Sequence, residues 1–362
     1  MFYQKILRPI LFKTDPEKIH HLVIAGLAVV SKIKPLSFLI SNYLNVKSSF
    51  LEVKIGNLTF SNPVGLAAGF DKNVTAPLAY EMLGFGYAEL GSVTLIAQPG
   101  NPKPRLWRIP KDKGLIVYYG LANCGANKVV EKLKKIKNPH APFGISIAPT
   151  TGLTLTQMIE DYAKCFEIVS PYADYITLNV SCPNVANCEL FAQISFIREL
   201  MEKINNLKNS LNTTVDIFIK IGPDMAMEQY DELVDICIKN NILAIISTNL
   251  VKNRANISPV SNQDELNHPG GISGKLVDDK NLDIIKRLYR RADGKVKIIG
   301  VGGIFTAEDA YKKIKAGASA LQLVTGFIYG GPTTIKNINQ GLVDLLKKDG
   351  FKNIDEAVGK EA

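Results

Sequence analysis

The sequence predicts an α/β fold, a (β/α)8 barrel preceded by a helical extension, and three observations carry that prediction. Short apolar runs alternate with amphipathic helical patterns from about residue 52 onward. Nearly every run ends in a polar residue or a glycine, as a shared rim of strand ends requires. Residues 1–47 follow a different, wholly helical rhythm.

In the extension, Phe2, Ile6, Ile10 and Leu11 recur at helical spacing. Asp15-Pro16-Glu17 is a helix-start signal, and His20 to Val30 is mostly apolar. Lys5, Arg8, Lys13, Lys18, Lys32 and Lys34 supply positive charge. Short, apolar, basic helices suit a membrane surface, and equally a helical pair packed on the domain. The apolar run from Leu22 to Val30 is about half the length of a spanning helix.

The eight predicted strands are Pro63 to Gly69, Tyr87 to Thr94, Phe143 to Pro149, Asp174 to Ser181, Val215 to Pro223, Leu243 to Leu250, Val296 to Gly302 and Ala320 to Gly326. Helical patterns separate most of them, at Leu153 to Val169, Leu190 to Leu207, Met225 to Lys239 and Ala307 to Lys315. Continuous apolar strands between helices pair in parallel with both faces covered. Periodicity cannot distinguish closure from a doubly wound open sheet, which is the alternative architecture.

Composition narrows the function. The 362 residues are 46% hydrophobic and 21% charged, as in an ordinary globular chain. A net charge of +9 favours anionic partners such as phosphate cofactors or acidic lipid. The basic residues are spread along the chain with no nucleic-acid motif, so nucleic acid is not an expected partner. Five cysteines without zinc spacing imply a reducing compartment and no metal site. No signal-peptide pattern follows Met1.

The strand ends carry the chemistry. The fourth runs into Asn179-Val180-Ser181-Cys182-Pro183-Asn184, placing two carboxamides, a hydroxyl and a thiol within six residues. Carboxamides donate and accept, so a pair can read both edges of a small planar ligand; the same residues also build turns. Asn249 ends the sixth strand. Cys182 has no adjacent His or acid, which favours a proton-transfer base over a nucleophile. Lys220 sits inside Ile217-Phe218-Ile219-Lys220-Ile221 and needs an anionic or strongly accepting partner, either a flavin's pyrimidine end or a structural carboxylate. Gly302-Gly303 and Thr325-Gly326 follow the seventh and eighth strands, where barrels bind phosphate and where tight turns also need glycine. Lys72 either reaches a ligand or is solvated. His268 and Gly270-Gly271-Ile272-Ser273-Gly274 read as a loop closing over a cofactor.

These residues resemble the dihydroorotate dehydrogenases, specifically the membrane-associated, quinone-using class, over nearly the whole chain. The resemblance rests on Leu66 to Asn73, Pro99 to Arg108, Asn179 to Asn184, Thr248-Asn249, Gly270 to Gly274 and Ile298 to Ile304. It implies a barrel with flavin mononucleotide (FMN) at its rim, dihydroorotate losing a proton to a base and a hydride to the flavin, and quinone reoxidising the flavin beneath the N-terminal helices. By position, Ala68, Gly69, Lys72, Ser92, Asn179, Lys220, Thr248, Gly274, Gly303, Val324 and Thr325 would contact FMN. Lys72, Asn179, Asn184 and Asn249 would hold the substrate, Cys182 would be the base, and His20 and Arg108 would lie near the quinone. The implied organisation is a quinone and membrane segment at 1–47, an FMN-binding barrel at 48–350 and a tail at 351–362, held peripherally on the inner, cytoplasmic face of the cell membrane.

The sequence departs from the family on the substrate side. Cys182 stands where the quinone class has serine. Val117-Tyr118-Tyr119-Gly120-Leu121 replaces Asn-Arg-Met-Gly-Phe, so Val117 removes a substrate hydrogen bond worth about 1–3 kcal/mol. Ser146 replaces an asparagine, Ala148-Pro149 a Gly-Lys, Leu250 a hydroxyl residue and Val324 a tyrosine. A relative acting on another small substrate, or a flavin-binding protein without turnover, are the competing expectations.

Overall fold

The computed structural model describes all residues except 1, 137–138, 140, 182–192, 256, 258 and 260–262. Eight parallel strands close into a barrel: β1 (Val64–Leu66), β2 (Tyr87–Val93), β3 (Phe143–Ile147), β4 (Tyr175–Asn179), β5 (Asp216–Ile221), β6 (Ala244–Ser247), β7 (Lys297–Val301) and β8 (Ala320–Leu323). Each pairs with its neighbour in sequence, and β8 closes on β1 through Leu321 opposite Val64. All eight predicted strands are present and the open-sheet alternative is excluded.

The barrel closes because its interior is filled in layers. At the amino end, Tyr87 stacks on Phe60 at 4.1 Å and Tyr175 on Phe218 at 4.4 Å. Phe60 comes from an antiparallel hairpin, Val53–Ile55 with Leu58–Phe60, that precedes β1. Gly65 and Gly144 leave room for the tyrosine rings, since a Cβ at either would lie 2.3 Å or less from ring atoms. Two residues further along the strands, the same inward face carries Glu89, Thr177, Lys220 and Gln322, all buried. The next inward positions reach the carboxyl rim.

A second, smaller sheet covers that rim. Leu106–Ile109, Gly114–Val117 and Gly271–Gly274 pair antiparallel around a cluster that includes Ile109, Ile116, Val251 and Ile272. This corrects the expectation of a loop at Gly270 to Gly274. The segment is a strand, fixed by pairing Gly271 with Val117 and Gly274 with Gly114.

The N-terminal helices pack beside this cover. After the segment Tyr3–Leu7 and Arg8–Phe12 come α1 (Pro16–Val30) and α2 (Lys34–Leu44). Asp15 caps α1 by accepting from the Lys18 amide at 2.8 Å, and Pro16 occupies its first position. Tyr3 donates to the Ile328 carbonyl and Arg8 to the Tyr329 carbonyl, tying the start of the chain to the end of the barrel. The remaining faces are open. All exposed large apolar side chains among the described residues, except Ile96, Leu211 and Met227, lie within residues 2–43. No single helix there is long and apolar enough to cross a membrane. At the other end of the chain, Ile354 and Ala357 are buried and Glu361 pairs with Lys315.

Candidate active site

The carboxyl rim and the small sheet enclose one cleft with a cavity volume of about 200 Å3, open at its mouth. Ala68, Gly69, Lys72, Ser92, Asn179, Lys220, Thr248, Asn249, Gly274, Gly303, Val324 and Thr325 all line it. Residues from β1 to β8 thus meet around one space although their sequence separation exceeds 250 positions. Cys182 and Asn184 lie outside the described residues.

One wall is polar and internally ordered. Asn179 donates through Nδ2 to Ser92 Oγ at 2.8 Å, and Ser92 Oγ is 2.8 Å from Ser146 Oγ. Asn179 Oδ1 accepts from the Ser181 amide and hydroxyl. Asn249 donates to the Ser181 carbonyl at 2.8 Å, and its Oδ1 accepts from the Leu250 amide. Both carboxamides are therefore held in fixed orientation, with one edge facing the cleft. Ser146 does not line the cleft; it acts on Ser92 from behind.

The floor is charged. Lys220 Nζ lies 3.7 Å from Glu89 Oε1, with both side chains buried. Glu89 Oε2 accepts from Thr177 at 2.9 Å and from Gln322 at 3.1 Å, while its Oε1 has no hydrogen-bond partner among the described residues. The lysine therefore has a structural carboxylate and also lines the cleft.

The opposite end is bare backbone. Gly303 has φ +72, and a Cβ there would sit 2.4 Å from Asp278 Oδ1. Thr248 donates to Asn281 Oδ1 at 2.7 Å, and Asn281 donates to the Val301 carbonyl at 2.8 Å, fixing the turn that leads into Gly302-Gly303. Ser273 and Thr325 hydroxyls are 2.9 Å apart across the cleft mouth. At Gly69, with φ +101, an added Cβ would meet nothing within 4 Å, so the space above it is open to a flat ligand. Bare amides at one end, a cation on the floor and open space between them fit a phosphorylated planar cofactor.

Lys72 lies in the wall rather than in solvent. Its Nζ donates to the Gly69 carbonyl and sits 4.0 Å from the centroid of the Tyr119 ring. Burial and the Arg105 guanidinium pull it down to about 8. His20 and Arg108 do not join this cleft. His20 packs edge-on against Phe70 at 5.0 Å and lines a second cavity under α1. Burial, then the Lys72 charge, lowers it to about 3. Arg108 donates to the Phe12 and Thr14 carbonyls and stacks over the Phe12 ring.

Tyr119, Leu115, Asn281 and Ile304 line the cleft without having been singled out from the sequence as ligand contacts. Tyr119 stood within the divergent stretch 117–121. Asn281 carried no sequence signal, because only helix packing on β7 brings it to the rim.

A family model for dihydroorotate dehydrogenase matches residues 50–346. A protein of Nocardia farcinica named dihydroorotate dehydrogenase (quinone) is 36% identical over 99% of this chain and 97% of its own length. One of the same name from Nostoc punctiforme is 38% identical over 99% and 98%. Among solved structures, ligand-free DHODH from Eimeria tenella superposes with a TM-score of 0.85 at 29% identity, covering 96% of this chain and 99% of that one.

Proposed function

The chain belongs to the dihydroorotate dehydrogenase family, and on that premise we propose that it oxidises dihydroorotate to orotate in pyrimidine biosynthesis, with FMN as resident cofactor and a quinone as electron acceptor. The observation that carries this reading is the convergence of twelve expected contact residues on one cleft with a polar wall, a cationic floor and a bare backbone end. When bound, FMN supplies the hydride acceptor.

The chain's own residues do the rest. The Gly303 and Thr325 backbones would hold the phosphate, with no side chain at Gly303 to intervene. Lys220, held 3.7 Å from Glu89, would present its ammonium to the cofactor from the floor of the cleft. Asn179 and Asn249, locked by Ser92 and Ser181, present fixed hydrogen-bonding edges to the substrate beside Lys72, which pairs with its carboxylate. Cys182, three positions after the end of β4 in sequence, would take the proton from the substrate carbon adjacent to the one that loses hydride.

The open apolar face of residues 2–43 supports a peripheral membrane seat on the cytoplasmic side, where a lipid-soluble quinone would be met near His20 and Arg108. We assign residues 1–47 to that task, 48–350 to the FMN-binding barrel and 351–362 to a packed tail.

One feature favours a second reading, in which the same fold and FMN serve a different small substrate: Val117, Leu121 and Leu250 give the cleft apolar wall positions. Anaerobic addition of dihydroorotate to the purified holoprotein separates the two. Bleaching of the oxidised flavin band, lost in Cys182→Ala, supports dihydroorotate oxidation. A bound flavin that stays oxidised rejects it in favour of another donor.

A further inference from the structure

Lys72 has a supporting chain of contacts that reaches out of the barrel. One face of the Tyr119 ring meets Lys72 Nζ at 4.0 Å, and Arg105 Cζ lies 4.9 Å from the same centroid. Arg105 is itself anchored. Its Nε and Nη2 donate to the Glu17 carboxylate, the latter at 2.8 Å, and its Nη1 donates to the Pro99 and Asn101 carbonyls at 2.8 and 2.9 Å. Glu17 belongs to α1 and is 5% exposed. The Tyr119 hydroxyl is buried with no hydrogen-bond partner among the described residues. A tyrosine that leaves its hydroxyl unused and contacts two cations contributes through its ring face.

We propose that Glu17, Arg105 and Tyr119 are positioning residues for Lys72, which makes helix α1 part of the substrate side of the site as well as its quinone side. This rests on the reading of Lys72 as the group that pairs with the substrate carboxylate. Two cations share one ring, so they repel. Glu17 offsets the Arg105 charge and lets Lys72 stay charged against the ring and in reach of the cleft. The other groups facing Lys72 leave this role open. Asp71 is committed to the Thr75 and Ala76 amides and the Tyr80 hydroxyl, and His20 is held neutral against Phe70.

The test uses the full-length holoprotein, with orotate as probe and the flavin absorbance shift as readout, across pH 6 to 9.5. Tyr119→Phe keeps the ring and should bind orotate within about twofold of wild type. Tyr119→Leu should weaken orotate binding roughly two- to thirtyfold while FMN stays stoichiometric. Glu17→Gln should move the loss of orotate binding, expected near pH 8 in wild type, to lower pH. Orotate affinities of Tyr119→Leu and Glu17→Gln matching wild type at every pH would overturn the proposal, as would loss of FMN in step with orotate. Tyr119→Leu decides alone should Glu17→Gln fail to fold. A wild-type protein that binds FMN but neither binds orotate nor is bleached by dihydroorotate would instead overturn the functional reading.

Discussion

Lys220 on β5 and Glu89 on β2 face each other across the barrel interior at 3.7 Å, at the floor of the cleft. Removing one member of a buried pair strands the other charge, at a cost of about 3–5 kcal/mol. Replacing both with apolar residues of similar volume is often neutral. Lys220→Met should therefore lower unfolding free energy by that amount in urea titrations. The double variant Lys220→Met, Glu89→Met should recover most of it. Neither should recover FMN affinity, because the floor has lost its cation. Recovery of FMN binding in the double variant would show that Lys220 is structural only.

Gly303→Ala tests the phosphate end. Its left-handed φ is strained for alanine by about 1–2 kcal/mol, and the new Cβ would collide with Asp278. Asp278 cannot retreat freely. It pairs with the fully buried Lys313 and with Lys275, which hold its carboxyl below the usual range against the opposing effect of burial. FMN affinity should fall at least about tenfold, while riboflavin, which has no phosphate, should bind nearly as well to the variant as to wild type. Equal losses for both ligands would point to a general distortion of the rim.

The barrel was legible because its strands are buried on both faces, so Ile217 to Ile219 and Ile298 to Val301 read as apolar runs with no polar alternation. The rim residues were legible because a polar side chain at the end of such a run has few structural uses. The covering sheet was not. Its strands are four residues long, Gly271–Gly274 is half glycine, and its partner Gly114–Val117 lies more than 150 positions away. The ion pairs Glu89–Lys220 and Glu17–Arg105 were hidden for the same reason, since each joins elements that only closure brings together.

His20 sets a pH dependence of stability. Its folded value of about 3 lies below the ordinary histidine value of 6.5, so the unfolded chain binds the proton more tightly. Its contribution is complete above pH 6.5 and is lost as pH falls toward 3, with a limiting slope of about 1.4 kcal/mol per pH unit. Unfolding free energy measured between pH 7 and 4 should fall less steeply in His20→Gln than in wild type. Parallel curves would mean that His20 takes up its proton equally readily in the folded and unfolded chain.

The open apolar face of α1 and α2 predicts vesicle binding. Leu22, Phe38 and Leu39 are each about 65% exposed, so replacing them with serine should cost little folding free energy. Each side chain buried in lipid is worth roughly 1.5–3 kcal/mol, so the triple variant should lose most co-sedimentation with anionic vesicles. Deleting residues 1–47 should abolish quinone reduction and leave FMN bound. Loss of FMN with the segment would contradict the assigned division of labour.

Val117→Asn addresses the substrate most directly. Val117 lies at the end of a strand paired on both sides, opposite Leu106 and Gly271, so its backbone is fixed and an asparagine there would take the valine's direction along the cleft wall. A restored hydrogen bond to a buried polar ligand is worth about 1–3 kcal/mol, or roughly ten- to a hundredfold in affinity. If dihydroorotate is the substrate, the variant should bind orotate more tightly by that factor and bleach at lower dihydroorotate concentration. A variant that binds orotate more weakly would mean that the apolar wall is matched to a less polar ligand. In that case the strand ends have kept the flavin chemistry, while Val117, Leu121 and Leu250 have changed what it acts on.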